Sequence, residues 1–84
     1  MKLSRGENEM KEFKFDIVEH IAELGSAKTI TKELNRVSFN GGEPKLDIRN
    51  WQKSENGEPI MYKGISLTRD EAIKLRDALN SIEI

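Results

Sequence analysis

The stretch from Lys45 to Ile82 leaves this chain the fewest choices of fold. It opens with Lys45-Leu46-Asp47-Ile48-Arg49-Asn50-Trp51, where apolar and polar residues alternate with the period of a strand. Leu46 and Ile48 take one side, and Lys45, Asp47, Arg49 and Trp51 take the other. A turn-rich loop, Ser54-Glu55-Asn56-Gly57-Glu58-Pro59, leads to a second strand over Met61 to Leu67. Gly64 inside that strand predicts a bulge, or a close approach by a ligand or another backbone. Thr68-Arg69-Asp70-Glu71 is then a capping box, with Thr68 as N-cap and Glu71 at the third helical position. The helix behind it carries Ala72, Leu75, Leu79 and Ile82 along one face, and Ile73 and Ala78 widen that face towards a second contact.

Upstream, Asn40-Gly41-Gly42-Glu43-Pro44 reads as a hairpin loop, because Gly supplies positive φ and Pro stops a ladder. Thr29 to Phe39, rich in Thr and Val, reads as a strand, and Gly25-Ser26-Ala27-Lys28 as the turn before it. Phe13 to Leu24 satisfies two patterns. Phe13, Ile17, Ile21 and Leu24 fall at helical spacing with Gly25 as a C-cap. A strand instead puts Phe13, Phe15, Ile17 and Ile21 on one face, and it accounts for the aromatic Phe15 and β-branched Val18 off the helical stripe. Residues 1–11 carry charge and little apolar content and read as a flexible arm, which leaves residues 12–84 as a single domain.

A chain of 84 residues buries a small core, and this one has no cysteine for disulfides, thiolate zinc sites or thiol catalysis. Association of copies is the remaining common remedy, so a homodimer is expected. No apolar run reaches membrane-spanning length, and Met1 to Gly6 lacks the apolar stretch of a signal peptide. The expected compartment is the cytoplasm, with no membrane partner. Net charge is −1, which excludes binding of nucleic acid through bulk positive charge. Charge is nonetheless uneven: Lys28 to Arg49 holds five cations against three anions, while Ile17 to Leu24 holds Glu19 and Glu23 and no cation.

Catalysis finds little to work with. His20 is the sole histidine, and no serine has the context of a nucleophile elbow. Asp16, Glu19, His20 and Glu23 lack a recognised ligand spacing and read as a solvated acidic edge, so no metal or other cofactor is expected. Gly41-Gly42 follows a strand but lacks the Lys-Ser/Thr of a phosphate loop. Trp51 is the unusual residue. A lone tryptophan in a small domain is ordinarily core, yet Trp51 shares parity with Lys45, Asp47 and Arg49 while Leu46 and Ile48 already supply a core side. Exposed on that face, Trp51 and Arg49 suit stacked bases and a phosphate backbone, or else a protein interface. Phe39 at the mouth of the hairpin either closes the core edge or offers a second stacking platform. Tyr62 and Lys63, just before Gly64, are either ordinary strand residues or a phosphate contact.

Asp47-Ile48-Arg49, a variable loop and Lys63-Gly64-Ile65-Ser66-Leu67 resemble the signature of the transcriptional positive cofactor four coactivators. Gly41-Gly42-Glu43-Pro44-Lys45 is similar to the small bacterial branch often called YdbC-like. The resemblance runs from Phe39 to Ile82. It implies that Phe13–Leu24 is a strand, giving an α+β fold: a four-stranded antiparallel sheet followed by one C-terminal helix (ββββα), assembled as a homodimer through the helix and sheet edges. It also implies that Arg49 and Lys63 bind phosphates and that Phe39 stacks on bases, with Trp51 at an aromatic position of the third strand. The family pattern has a second aromatic where Gln52 stands, a basic residue at Tyr62 and often a lysine at Asn40.

The expected function is therefore binding of single-stranded DNA with little sequence preference, in transcription regulation or in replication and repair. Phe39 and Trp51 would stack, Lys32, Lys45, Arg49 and Lys63 would track the backbone, and Asn40 and Tyr62 would complete the surface. The protein would be non-enzymatic and associated with the nucleoid, with transcription or repair machinery as further partners. The alternatives are an adaptor that binds another protein on the open sheet face, and a binder of single-stranded RNA.

Overall fold

A computed structural model describes residues 14–84; the expected arm over residues 1–11 and Phe13 lie outside the described residues. Four strands, β1 (Phe15–Ala27), β2 (Ile30–Phe39), β3 (Lys45–Lys53) and β4 (Pro59–Leu67), precede one helix, α1 (Arg69–Asn80). The strands form one antiparallel sheet in chain order, as the ββββα expectation has it. Phe13–Leu24 resolves as strand from Phe15 onward. The turn that follows comes later than expected: β1 runs through Gly25 and Ser26, and Lys28, at φ 57°, carries the reversal.

The double reading of β1 has a physical cause. Its register against β2 slips between Ile17 and Glu19, between His20 and Ala22, and between Glu23 and Gly25. Each slip inserts one unpaired residue, in turn Val18, Ile21 and Leu24. A bulge at every third residue gives the strand a period of three, between the two of a flat strand and the 3.6 of a helix. Ile21 consequently does not share the inward face of Phe15 and Ile17; it is a bulge residue, 40% exposed.

Bulges also increase twist, and here the sheet curls over one face. Phe15 pairs with Phe39 and Trp51 pairs with Thr31, positions eight residues apart along β2. On a flat strand that is roughly 26 Å. Yet the Phe15 and Trp51 rings are 5.3 Å apart at a 54° tilt. The inner face of this curl, carrying Val37, Asn35, Asp47 and Trp51, is the most buried region of the described chain. The alternation read from β3 is correct, but its consequence is reversed. Trp51 is 3% exposed and belongs to the core, whereas Leu46 and Ile48 on the outer face are only half-buried.

Two glycine-bearing points fix the backbone. The β2–β3 loop turns on Asn40 (φ 54°) and Gly41 (φ 76°). Gly64 passes so close to β3 that a Cβ there would lie 1.8 Å from Arg49 Cβ and 2.5 Å from the Ile48 carbonyl oxygen. The close approach expected at Gly64 is thus to a neighbouring strand.

Helix α1 starts on the expected box: Thr68 Oγ1 accepts from the Glu71 N–H (3.1 Å), and Glu71 Oε1 accepts from the Thr68 N–H (2.9 Å). It stands by the Leu46 and Leu67 end of the sheet, where those two residues line a cleft together with Ala72 and Ile73, both half-buried. The stripe expected to pack points elsewhere: Leu75, Leu79 and Ile82 are 38%, 47% and 58% exposed.

Candidate nucleic-acid interface

Arg49 is the most tightly held of the expected contact residues. Its Nε and Nη2 donate to the two oxygens of Asp47 at 2.6 and 2.7 Å, and Nη1 donates to the Tyr62 carbonyl at 3.1 Å. Asp47 is fully buried and also accepts from Ser66 Oγ at 2.7 Å, so its charge is paired and hydrogen-bonded, as burial requires. The i,i+2 spacing of Asp47 and Arg49 puts both on the inner face of β3, and Ser66 comes from the cross-strand position on β4. A guanidinium has five N–H donors, and three of those on Arg49 are used in these bonds, leaving two without a hydrogen bond among the described residues. The guanidinium carbon lies 5.6 Å from the centroid of the Phe39 ring, within the range of a cation–π contact.

Around this pair the structure distributes the expected residues over two surfaces. Phe39, Lys45, Arg49 and Trp51 share the inner face, Phe39 half-buried at the end of β2 and Lys45 exposed opposite Val37. Trp51 is on that face but inside it, which corrects the expectation of an exposed stacking platform. Lys32 pairs with Asn50 and belongs to the outer face, so the local excess of cations does not form one strip. Between Arg49 and Trp51 the β3–β4 register slips, and Tyr62 and Lys63 together oppose Asn50. With Ile30 and Met61 these three line a shallow outer groove, where Tyr62 Oη donates to Gln52 Oε1 at 2.5 Å. Asn40 ties the start of β1 to the hairpin. Its Oδ1 accepts from the Lys14 N–H (2.9 Å), and its own N–H donates to the Lys14 carbonyl (2.8 Å).

Sequence reasoning passed over a polar chain on the same inner face. His20 Nδ1 donates to Asn35 Oδ1 (2.7 Å), Asn35 Nδ2 to Glu33 Oε1 (3.1 Å), and Thr31 Oγ1 to Glu33 Oε2 (2.7 Å). Its signal was the row Thr31, Glu33, Asn35 at period two, which aligns three polar side chains on one face of β2. Among the described residues no cluster of three or more histidine, aspartate or glutamate side chains could hold a metal ion.

A model of the family described as Transcriptional Coactivator p15 (PC4) matches residues 26–78, which include both motifs, the Phe39 hairpin and most of α1. The chain belongs to that family. The p15 coactivators are known for single-stranded DNA binding and coactivation, and no catalytic family is indicated. An uncharacterized protein of Treponema pallidum (strain Nichols) is 44% identical over 52 residues, covering 62% of this chain and 58% of its own length. The p15 match begins at Ser26 and so leaves out most of β1, the strand whose bulges curl the sheet and whose Phe15 seals Trp51.

Proposed function

We propose that this p15 coactivator-family chain binds single-stranded DNA with little sequence preference, as a homodimer, in transcription regulation or in replication and repair at the nucleoid. The observation that carries the reading is the Arg49–Phe39 pair: an aromatic ring at a hairpin mouth with a fixed cation 5.6 Å from its centroid, two of whose N–H donors are not used by the described residues. Any base has a π-face for Phe39, and a phosphate can take the remaining Arg49 donors, so contact needs no base identity. Exposed Lys45 extends the line along the inner face. Lys63 and Tyr62, and Lys32 beyond them, offer a second line along the outer groove. Buried Trp51 supports this surface from beneath.

Single-stranded DNA, duplex DNA and single-stranded RNA of equal length, titrated against the protein at several salt concentrations, test the reading. Single strands should bind best, with affinity falling as salt rises, because stacking needs unpaired bases and phosphate contacts release counterions. Equal binding of duplex sinks the proposal, and preferred binding of RNA transfers it to that polymer.

A further inference from the structure

We infer that a cationic cleft between the sheet and helix α1 takes the sugar-phosphate backbone of a strand as it runs on from Phe39. The inference rests on the strand-binding reading and adds to it a second stretch of contact, made to phosphates and not to bases. The cleft encloses about 800 Å³. One side of it is Arg36, Leu46 and Leu67, a row in register across β2, β3 and β4. The other is one face of α1, where Arg69, Ala72, Ile73 and Arg76 fall at helical spacing with an arginine at each end.

Charge in the cleft departs from that of the chain. The sequence has 14 Lys and Arg against 15 Asp and Glu, whereas the described lining of the cleft holds Arg36, Lys45, Arg69 and Arg76 against Glu43. Lys45 and Arg69 make no ion pair among the described residues. Arg36 pairs with Glu19 at 3.0 Å and Arg76 with Asp77 at 3.3 Å, but these four side chains are about half exposed or more, and such pairs are weak. A polyanion can therefore draw on all four cations. Arg69 and Arg76 are seven residues apart, about 10.5 Å along the helix axis, far enough to meet separate phosphates. Between the cations the lining is aliphatic: Leu46, Leu67, Ala72 and Ile73. Such a floor suits the apolar edge of a deoxyribose and gives a base no ring to stack on.

Continuity selects the occupant. Lys45 lines the cleft and also belongs to the inner-face line, opposite Val37 and one loop away from Phe39. That loop is tight: the Gly42 N–H donates to the Phe39 carbonyl at 2.9 Å, and Ser38 Oγ donates to the Gly42 carbonyl at 2.7 Å. A strand stacked on Phe39 passes Lys45 and meets the cleft next. An acidic protein segment would match the charge but has no such continuity with the Arg49–Phe39 pair.

Fluorescence anisotropy of labelled oligothymidine at several salt concentrations tests this with the double variant Arg69→Gln, Arg76→Gln. Both residues are exposed, and circular dichroism checks the fold. Each phosphate contact contributes about 0.7 to the slope of log affinity against log salt for single strands, so the variant should lower that slope by about 1.4 on long strands. Strands of about four nucleotides, enough for Phe39 and Arg49 alone, should bind the variant and the unaltered protein alike. Lys28→Gln with Lys74→Gln removes the same charge away from the cleft and should leave the long-strand slope unchanged. An unchanged slope in the arginine variant, or an equal fall in the lysine variant, overturns the cleft and leaves the strand-binding reading standing. If the unaltered protein binds no strand, both fall. A labelled peptide of alternating glutamate and leucine supplies the last arm. Peptide binding that the arginine variant loses, with its DNA binding intact, reassigns the cleft to an acidic protein segment and overturns the proposal.

Discussion

Arg49 shows how one side chain serves fold and site together. Its side chain is 12% exposed and is fastened to Asp47, whose side chain has no exposure at all. Removing one member of a buried pair strands the other charge, so Asp47→Ala should destabilise the fold by about 3–5 kcal/mol. Chemical denaturation would show this as a lower midpoint. Phe39→Ala acts differently: it should weaken single-strand binding by about 1–3 kcal/mol through lost stacking. An unchanged oligonucleotide affinity for Phe39→Ala would remove the stacking role. Trp51→Ala should cost about 3–5 kcal/mol of stability, since the ring is core. The parity of Trp51 with Arg49 was legible in the sequence, because alternation is local. Its burial was not, because that depends on Phe15 arriving from a position eight residues away in register.

The elements differ in how plainly the chain announces them. Helix α1 was legible to the residue at its start, since a capping box is a short-range device whose donors and acceptors are all within four positions. Strand β3 alternates without interruption and was equally plain. Strand β1 was not, for its three bulges place Ile17, His20, Glu23 and Ser26 inward at intervals of three. A periodicity of three falls between the two templates, so local pattern cannot choose. The close approach at Gly64 was legible too, but its partner only appears with the register that sets it against Arg49. Gly64→Ala would force β3 and β4 apart, because backbone and Cβ atoms of β3 occupy the space. The expected loss is about 1–3 kcal/mol, read as a fall in melting temperature, with disturbed placement of Arg49. A melting temperature equal to that of the unaltered protein would show that the strands can separate without penalty.

At the scale of the whole molecule, the chain leaves a large share of its described apolar residues uncovered. Val37 and Trp51 are its fully buried hydrophobic residues among those described, while Ile65, Leu75, Leu79 and Ile82 are 56%, 38%, 47% and 58% exposed. Ile65 is on the outer face of β4, the same side of the sheet on which α1 docks. Ile65 and the free side of the helix therefore offer an apolar surface to a second copy, which would give a small core the burial it lacks. The sequence pointed to association from size and the absence of cysteine, and it aligned Leu75 and Leu79 with Ala72 and Ile82 on one helix face. The helix places half-buried Ala72 and Ile73 on the cleft beside Leu46 and Leu67, and the larger Leu75 and Leu79 are exposed. Leu79→Glu should then convert a dimer to a monomer, because a carboxylate placed in an apolar contact loses its hydration without a partner. Light scattering at micromolar concentration should give about twice the chain mass for the unaltered protein and the single-chain mass for the variant. The monomer should also bind long oligonucleotides more weakly than the dimer, since two linked sites raise the effective concentration of the second contact. A cooperatively folded monomer of the unaltered chain would overturn the assignment, and the exposed helix face would then need a different partner.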